Sequence, residues 1–229
     1  MKILAIGAHP DDIEIFMYGL ISIYKKEGNQ IYTMIATDGA KGGFPGGNSL
    51  ASKRKEETIA GLNSLSPPIF LNIPDGELGD ESSHQKIIKK SILKIMPDLI
   101  ITHSENDYHA DHKSLSLLTS RAVSHYIPVL NCDTLMGINF TPCYYFDITE
   151  FYSLKKEAIL KHKSQNPQRF VDLFEMMNSY RAAQCNAPKG KYAEAYSFVP
   201  SFPFSEIRTI LPEPLQLKPF HIENQNGFL

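Results

Sequence analysis

Apolar positions along the chain follow two alternating rhythms. Residues 1–8 form a nearly continuous apolar run, Ile3, Leu4, Ala5 and Ile6, closed by Gly7, which reads as a buried strand. Over 12–26 the rhythm changes: Ile13, Phe16, Met17, Leu20, Ile21 and Tyr24 recur at helical spacing. The same exchange continues. Residues 30–37 read as a strand, 52–65 as a helix, 68–72 as a short strand and 82–96 as a helix carrying Ile87, Ile88, Ile92, Leu93 and Ile95. A strand at 98–102 is followed by a helix from about His112 to His125. Residues 140–146 suit a later strand, and 151–162 and 168–184 suit helices. Repeated strand–helix alternation predicts an α/β fold, a mostly parallel sheet with helices on both faces. No internal repeat and no linker divides the chain, so 1–229 reads as one domain with a core to about residue 198. The proline-rich segment 199–229 reads as a surface-hugging extension, a lid or a contact between copies of the chain.

Composition narrows the class. The 229 residues are 42% hydrophobic and 21% charged, with a formal net charge of −2, as in an ordinary globular protein. No long basic run exists, which argues against a dedicated nucleic-acid binder or a polybasic membrane binder. The opening apolar segment is too short for a signal peptide, and no run approaches the length that crosses a bilayer. The expectation is a cytoplasmic protein without stable membrane insertion. Cys132, Cys143 and Cys185 are widely spaced and form no Cys-x-x-Cys pair, so a thiolate metal site is not expected and the three read as isolated thiols.

The candidate chemistry sits where strands end. Ala8-His9-Pro10-Asp11-Asp12 occupies the turn between the first strand and its helix. In open α/β sheets ligands bind at the carboxyl ends of strands. Buried charge there is costly unless it is paired or bound to a metal. An Asp before a helix also serves as an N-cap, so this motif alone leaves both readings open. A second strand–loop–helix unit carries His103-Ser104-Glu105-Asn106-Asp107-Tyr108-His109-Ala110-Asp111-His112. Two such strand ends of one parallel sheet can face a common crevice and together hold a divalent ion and handle a proton. The glycine-rich stretch 37–48 follows the second strand. It is neither a G-x-x-x-x-G-K-S/T phosphate loop nor a G-x-G-x-x-G turn, and it reads as a mobile loop at the rim of the site or as a plain connection.

These two motifs resemble the PIG-L/LmbE-like family of zinc-dependent N-acetylglucosaminyl deacetylases, whose pattern is A-H-P-D-D after an apolar strand and a later H-x-D-H loop. Further matches are Arg54-Lys55-Glu56-Glu57, Lys156 through His162-Lys163-Ser164-Gln165, and Arg181 followed by Tyr192-Ala193-Glu194-Ala195-Tyr196. Together they span residues 3 to about 198. The resemblance implies a Rossmann-like, LmbE-like fold and an N-deacetylase acting on a small N-acetylated amino-sugar compound. It implies His9, Asp12 and His112 as ligands of Zn2+, a donor set that also accepts Fe2+, Co2+ or manganese. It makes Asp11 the general base. It gives His109 the oxyanion and the leaving amine, with Asp111 as its candidate carboxylate partner. Arg54, oriented by Glu57, and Tyr192 become the substrate contacts. Glu194 is expected to be buried and paired, with Arg181 as a candidate partner. His103 and Asp107 read as loop-shaping, and His162 as a satisfied helix histidine or a catalytic contact. The family often has Gly-Glu where this chain has Gly39-Ala40. Two other readings stay open, a metal-dependent phosphoesterase and a metal- or sugar-binding protein without catalysis.

Overall fold

The computed structural model describes residues 1–79 and 82–215. Its strands are β1 (Lys2–Gly7), β2 (Gln30–Thr37), β3 (Pro68–Ile73), β4 (Leu99–Thr102), β5 (Val129–Cys132), β6 (Tyr144–Asp147) and β7 (Ala193–Phe198). They form one sheet in the order β3-β2-β1-β4-β5-β7-β6. The first five are mutually parallel, and β7 runs antiparallel to both β5 and β6. In β1, Ile3 and Ala5 enter one core layer while Leu4 and Ile6 enter the other, and all four are fully buried. Burial on both faces is why this strand reads as a continuous apolar run instead of an alternating one. Each such Ile or Leu contributes about 1.5–3 kcal/mol through burial.

Helices α1 (Asp12–Phe16), α2 (Tyr18–Lys26), α6 (Tyr152–Ile159) and α7 (Pro167–Gln184) send Ile13, Leu20, Ile159 and Phe174 into the first layer. Helices α4 (Ser82–Ile95) and α5 (Ala110–Val123) close the second with Ile88, Ile92, Leu115 and Leu118. Helix α3 (Asn48–Gly61) lies against α6. Strand order reverses beside β1: the chain steps outward through β2 and β3, then returns to lay β4 and β5 on the other side. The connections after β1 and β4 therefore diverge and open a crevice at the carboxyl ends of those strands. Both His/Asp motifs lie in those two connections.

The α/β architecture matches the expectation, and several local features differ. The helix expected over 12–26 is broken at Met17 (φ −130°, ψ −7°). The cause is distant in sequence. The Glu194 carboxylate accepts the amides of Gly19 and Leu20 at 2.9 Å each, so a new helix N-terminus begins there. Strand β5 was not expected, being only Val-Leu-Asn-Cys. Helix α3 starts at Asn48, ahead of residue 52, and β6 begins at Tyr144, after residue 140. Within the expected extension, 199–215 packs on the core. Ile207 is buried, Ile210 O accepts the Tyr24 hydroxyl, and the Leu215 amide donates to Tyr145 O. Residues 216–229 lie outside the described residues. Among the described residues no helix is long and apolar enough to cross a membrane.

Candidate metal centre

The first motif is shaped by close packing at the end of β1. A Cβ on Gly7 would sit 2.9 Å from the Asp12 Cβ, so only glycine lets the strand end and the helix start approach this closely. Ala8 O accepts both the amide and the hydroxyl of Thr37, each at 2.8 Å, which ties the turn to β2. Asp11 then takes φ 124°, a region that L-residues rarely adopt, and its side chain makes no capping hydrogen bond. Its carboxylate faces Arg54 instead, with Oδ2 3.2 Å from Nη2. The N-cap reading of Asp11 therefore does not hold.

Asp12 is the hub. Its Oδ2 accepts the His9 amide at 2.7 Å and lies 3.4 Å from His9 Nδ1, while Oδ1 lies 3.4 Å from His112 Nε2. Each of these imidazoles is anchored through its other nitrogen. His112 Nδ1 is 3.0 Å from Asp107 Oδ2, and His9 Nε2 is 3.0 Å from Asp111 Oδ2 and 3.4 Å from Asp75 Oδ1. Carboxylates behind both rings thus leave their inner nitrogens facing the two oxygens of Asp12, and a carboxylate behind the ring is how metal-binding histidines are oriented. His103 stacks on His112 with centroids 3.7 Å apart, and its Nε2 lies between the Ala8 amide (3.1 Å) and Asp12 Oδ2 (3.0 Å). His109 lies edge-on to His9, 4.7 Å between centroids, and its Nδ1 accepts the Asp111 amide at 3.3 Å. With Nδ1 occupied as an acceptor, neutral His109 carries its proton on Nε2.

Charges follow from these contacts. Burial works against a charged His9, but Asp111, Asp12 and Asp75 outweigh it and hold its pKa well above the usual value. Burial likewise opposes charge on His112, and Asp12 and Asp107 raise its pKa to about 9. His103 is pushed down to about 4 by burial and then by the His112 charge. Burial and the neighbouring His112 and His9 charges lower His109 as well. Asp12 stays far below the ordinary carboxylate range, because His112 and His103 overcome its burial. Asp11 is different: burial raises it, with Arg54 pulling the other way. The surrounding carboxylates thus favour a positive charge on His9 and His112. Two imidazoles and a carboxylate on one spot are also a donor set that suits a divalent cation, which would take the place of protons there. Ligand atoms of His9, His109 and His112 lie within 4.8 Å of one another, as do those of Asp12, His103 and His112, and those of His9, Asp75 and Asp111.

The structure thus gathers His9, Asp11, Asp12, His109, Asp111 and His112 in the crevice. It revises other expectations. The Asp111 carboxylate serves His9 and the Gly76 amide, and not His109. Arg54 is 3% exposed, and its terminal nitrogens are engaged inside the protein by Gly39 O (3.0 Å), Pro10 O (2.7 Å) and Asp11 (3.2 Å). Glu57 does not orient it; its carboxylate accepts the amide and hydroxyl of Ser164. Tyr192 is not brought to the cluster: its ring stacks on Tyr152 at 3.7 Å. Glu194 pairs with Lys155 at 2.8 Å, while Arg181 forms a two-pronged bridge to Asp133. His162 is buried against Glu14 at 2.8 Å. The glycine-rich loop is tied down, with the Lys41 amide donating to Asp75 Oδ2 at 2.8 Å. Sequence reasoning missed Asp75 and undervalued Asp107 and His103. Asp75 follows Ile73-Pro74 at the end of β3 and precedes Gly76, so the strand-end rule that singled out His9 would have found it.

An open, mostly parallel sheet with a His/Asp set converging at its switch point defines an α/β protein with a metal-ready crevice, and comparison with known proteins sharpens that class. Residues 4–123 match the family described as PIG-L, GlcNAc-PI de-N-acetylase. The chain belongs to the PIG-L family of N-deacetylases. It is 29% identical over 225 residues to a diacetylchitobiose deacetylase of Thermococcus kodakarensis, covering 87% of this chain and 83% of that protein. The N,N'-diacetylchitobiose deacetylase of Pyrococcus horikoshii superposes with TM-score 0.76 at 23% identity, over 90% of this chain and 86% of that one. GalB, a 4-carboxy-2-hydroxymuconate hydratase from Pseudomonas putida, superposes equally well, TM-score 0.76 at 19% identity, over 86% and 95% of the two chains. Since a hydratase shares the architecture, fold alone does not select the reaction; the site must.

Proposed function

We propose that this N-deacetylase removes the acetyl group from an N-acetylglucosamine-type unit of a small glycoside, using a zinc ion held by His9, Asp12 and His112. The observation that carries the reading is the convergence of the inner nitrogens of His9 and His112 on Asp12, each ring fixed from behind by a carboxylate. Two imidazoles and one carboxylate, with a position left for solvent, form a catalytic zinc set. Bound there, the ion supplies a lowered water pKa and a polarised amide carbonyl.

The chain's own groups supply the proton transfers. Asp11 stands next to the ligand Asp12, and its buried carboxylate takes one proton from the attacking water. His109, with Nε2–H as its free donor, hydrogen-bonds the amide oxygen as negative charge develops on it. When the C–N bond breaks, the proton on Asp11 passes to the departing nitrogen. Acetic acid and the neutral amine leave the reacting centre, and the acid then gives its proton to the amine, so the products are acetate and the protonated amino sugar and atoms and charge balance. Asp75, Asp107 and Asp111 act through the histidines they orient. The protein is placed in the cytoplasm, acting on a soluble substrate.

The test is acetate and free-amine release from a panel of N-acetylglucosamine glycosides, with zinc present and after chelation. Metal-dependent acetate release with equimolar amine is expected. Turnover that survives complete chelation would overturn the zinc reading.

A further inference from the structure

Arg54 sits directly behind the proposed base. Its side chain is almost fully buried, on helix α3, and one guanidinium joins three pieces of chain. Nη2 donates to Pro10 O at 2.7 Å and faces Asp11 Oδ2 at 3.2 Å, and Nη1 donates to Gly39 O at 3.0 Å. Nε is buried and has no hydrogen-bond partner, so the fork is oriented from its terminal nitrogens alone. The residue it braces is strained: Asp11 holds φ 124°, a backbone state that persists only when its surroundings enforce it. Arg54 grips this residue twice, through the carbonyl that precedes it and through its carboxylate. The third partner is shaped to admit the guanidinium. Gly39 has φ +67°, and a Cβ there would lie 2.8 Å from both Arg54 Nη1 and Pro10 Cδ.

We infer that Arg54 is a positioning residue that fixes the strained Asp11 backbone and aims its carboxylate into the crevice, while latching the glycine-rich loop to the same point. The kinetic part of this inference rests on the deacetylase reading above; the energetic part does not. Loss of the guanidinium leaves Asp11 buried without its ion-pair partner and free to relax. Displacing a catalytic group by about 1 Å costs on the order of 100-fold in rate.

Arg54→Met and Arg54→Lys are compared with the parent, alone and combined with Asp11→Asn. The expected kinetic result is a fall in kcat of about 100-fold for Arg54→Met with little change in KM, partly recovered in Arg54→Lys, whose ammonium replaces the charge but not the fork. A rise in KM at unchanged kcat would overturn the inference and make Arg54 a substrate contact. Thermal unfolding supplies a readout independent of turnover. Asp11→Asn should raise the melting temperature of the Arg54→Met protein relative to its effect in the parent, because it removes a stranded buried charge. An equal shift in both backgrounds overturns the inference. If Arg54→Met does not fold, the Arg54→Lys background carries the same cycle. If the parent releases no acetate from any substrate, the deacetylase reading fails, and the thermal cycle alone decides this one.

Discussion

Two of the buried charged clusters in this fold differ in the kind of partner that surrounds their central carboxylate. Behind α2, Lys155 and Glu194 form a closed network. Glu194 Oε1 accepts Lys155 Nζ at 2.8 Å and the Gly19 amide at 2.9 Å; Oε2 accepts the Leu20 amide at 2.9 Å and the Tyr196 hydroxyl at 2.7 Å. Lys155 also donates to Asn178 Oδ1 at 3.2 Å and lies over the Phe174 ring. At the ends of β1 and β4 the partners are imidazoles. Asp12 is faced by His9 Nδ1 and His112 Nε2 at 3.4 Å each and by His103 Nε2 at 3.0 Å, and further carboxylates stand behind the His9 and His112 rings. Charge burial is common to both, so it does not mark function. A set of imidazoles gathered on one carboxylate and oriented from behind by others does.

The contrast can be broken from either side. The largest effect is expected in the closed network. Lys155→Met strands the Glu194 carboxylate and should destabilise the protein by about 3–5 kcal/mol, with Glu194→Gln recovering part of that in the double variant. Urea unfolding checks this, and metal content per folded chain should not change. Retained stability with lost metal would erase the distinction between the clusters. A smaller effect is expected at the open site. Asp107→Asn keeps the fold but weakens the orientation of His112, so metal affinity should fall about 10–100-fold in a chelator competition. Unchanged affinity would remove Asp107 from the account.

What could be read in advance follows the range of the interactions. Strand, turn and helix patterns are local, so the α/β alternation and the two loops bearing His9 to Asp12 and His109 to His112 are visible as short words in the chain. The resemblance carried by those words also supplied the ligand expectation. Partner choice is not local. Glu194 caps α2 from 174 residues away, which is why the break at Met17 has no sequence signature. Arg54 belongs to a family word that implies a substrate contact, and only the packing of Pro10 and Gly39 around it shows the guanidinium turned inward. Asp111 stands two residues from His109, yet its carboxylate goes to His9, 102 positions earlier. Tyr192 matches a family word but stacks on Tyr152; it stands just before β7, which lies beside the edge strand β6, away from β1 and β4 in the sheet order.

The most direct measurement is made on Asp11→Asn, with zinc stoichiometry and acetate release determined on the same preparation. The account predicts one zinc per chain, as in the parent, with acetate release reduced by about 100- to 10,000-fold, the range a general base contributes. Undiminished acetate release, or loss of the metal along with activity, would contradict the assignment of Asp11 as the base beside an intact metal centre.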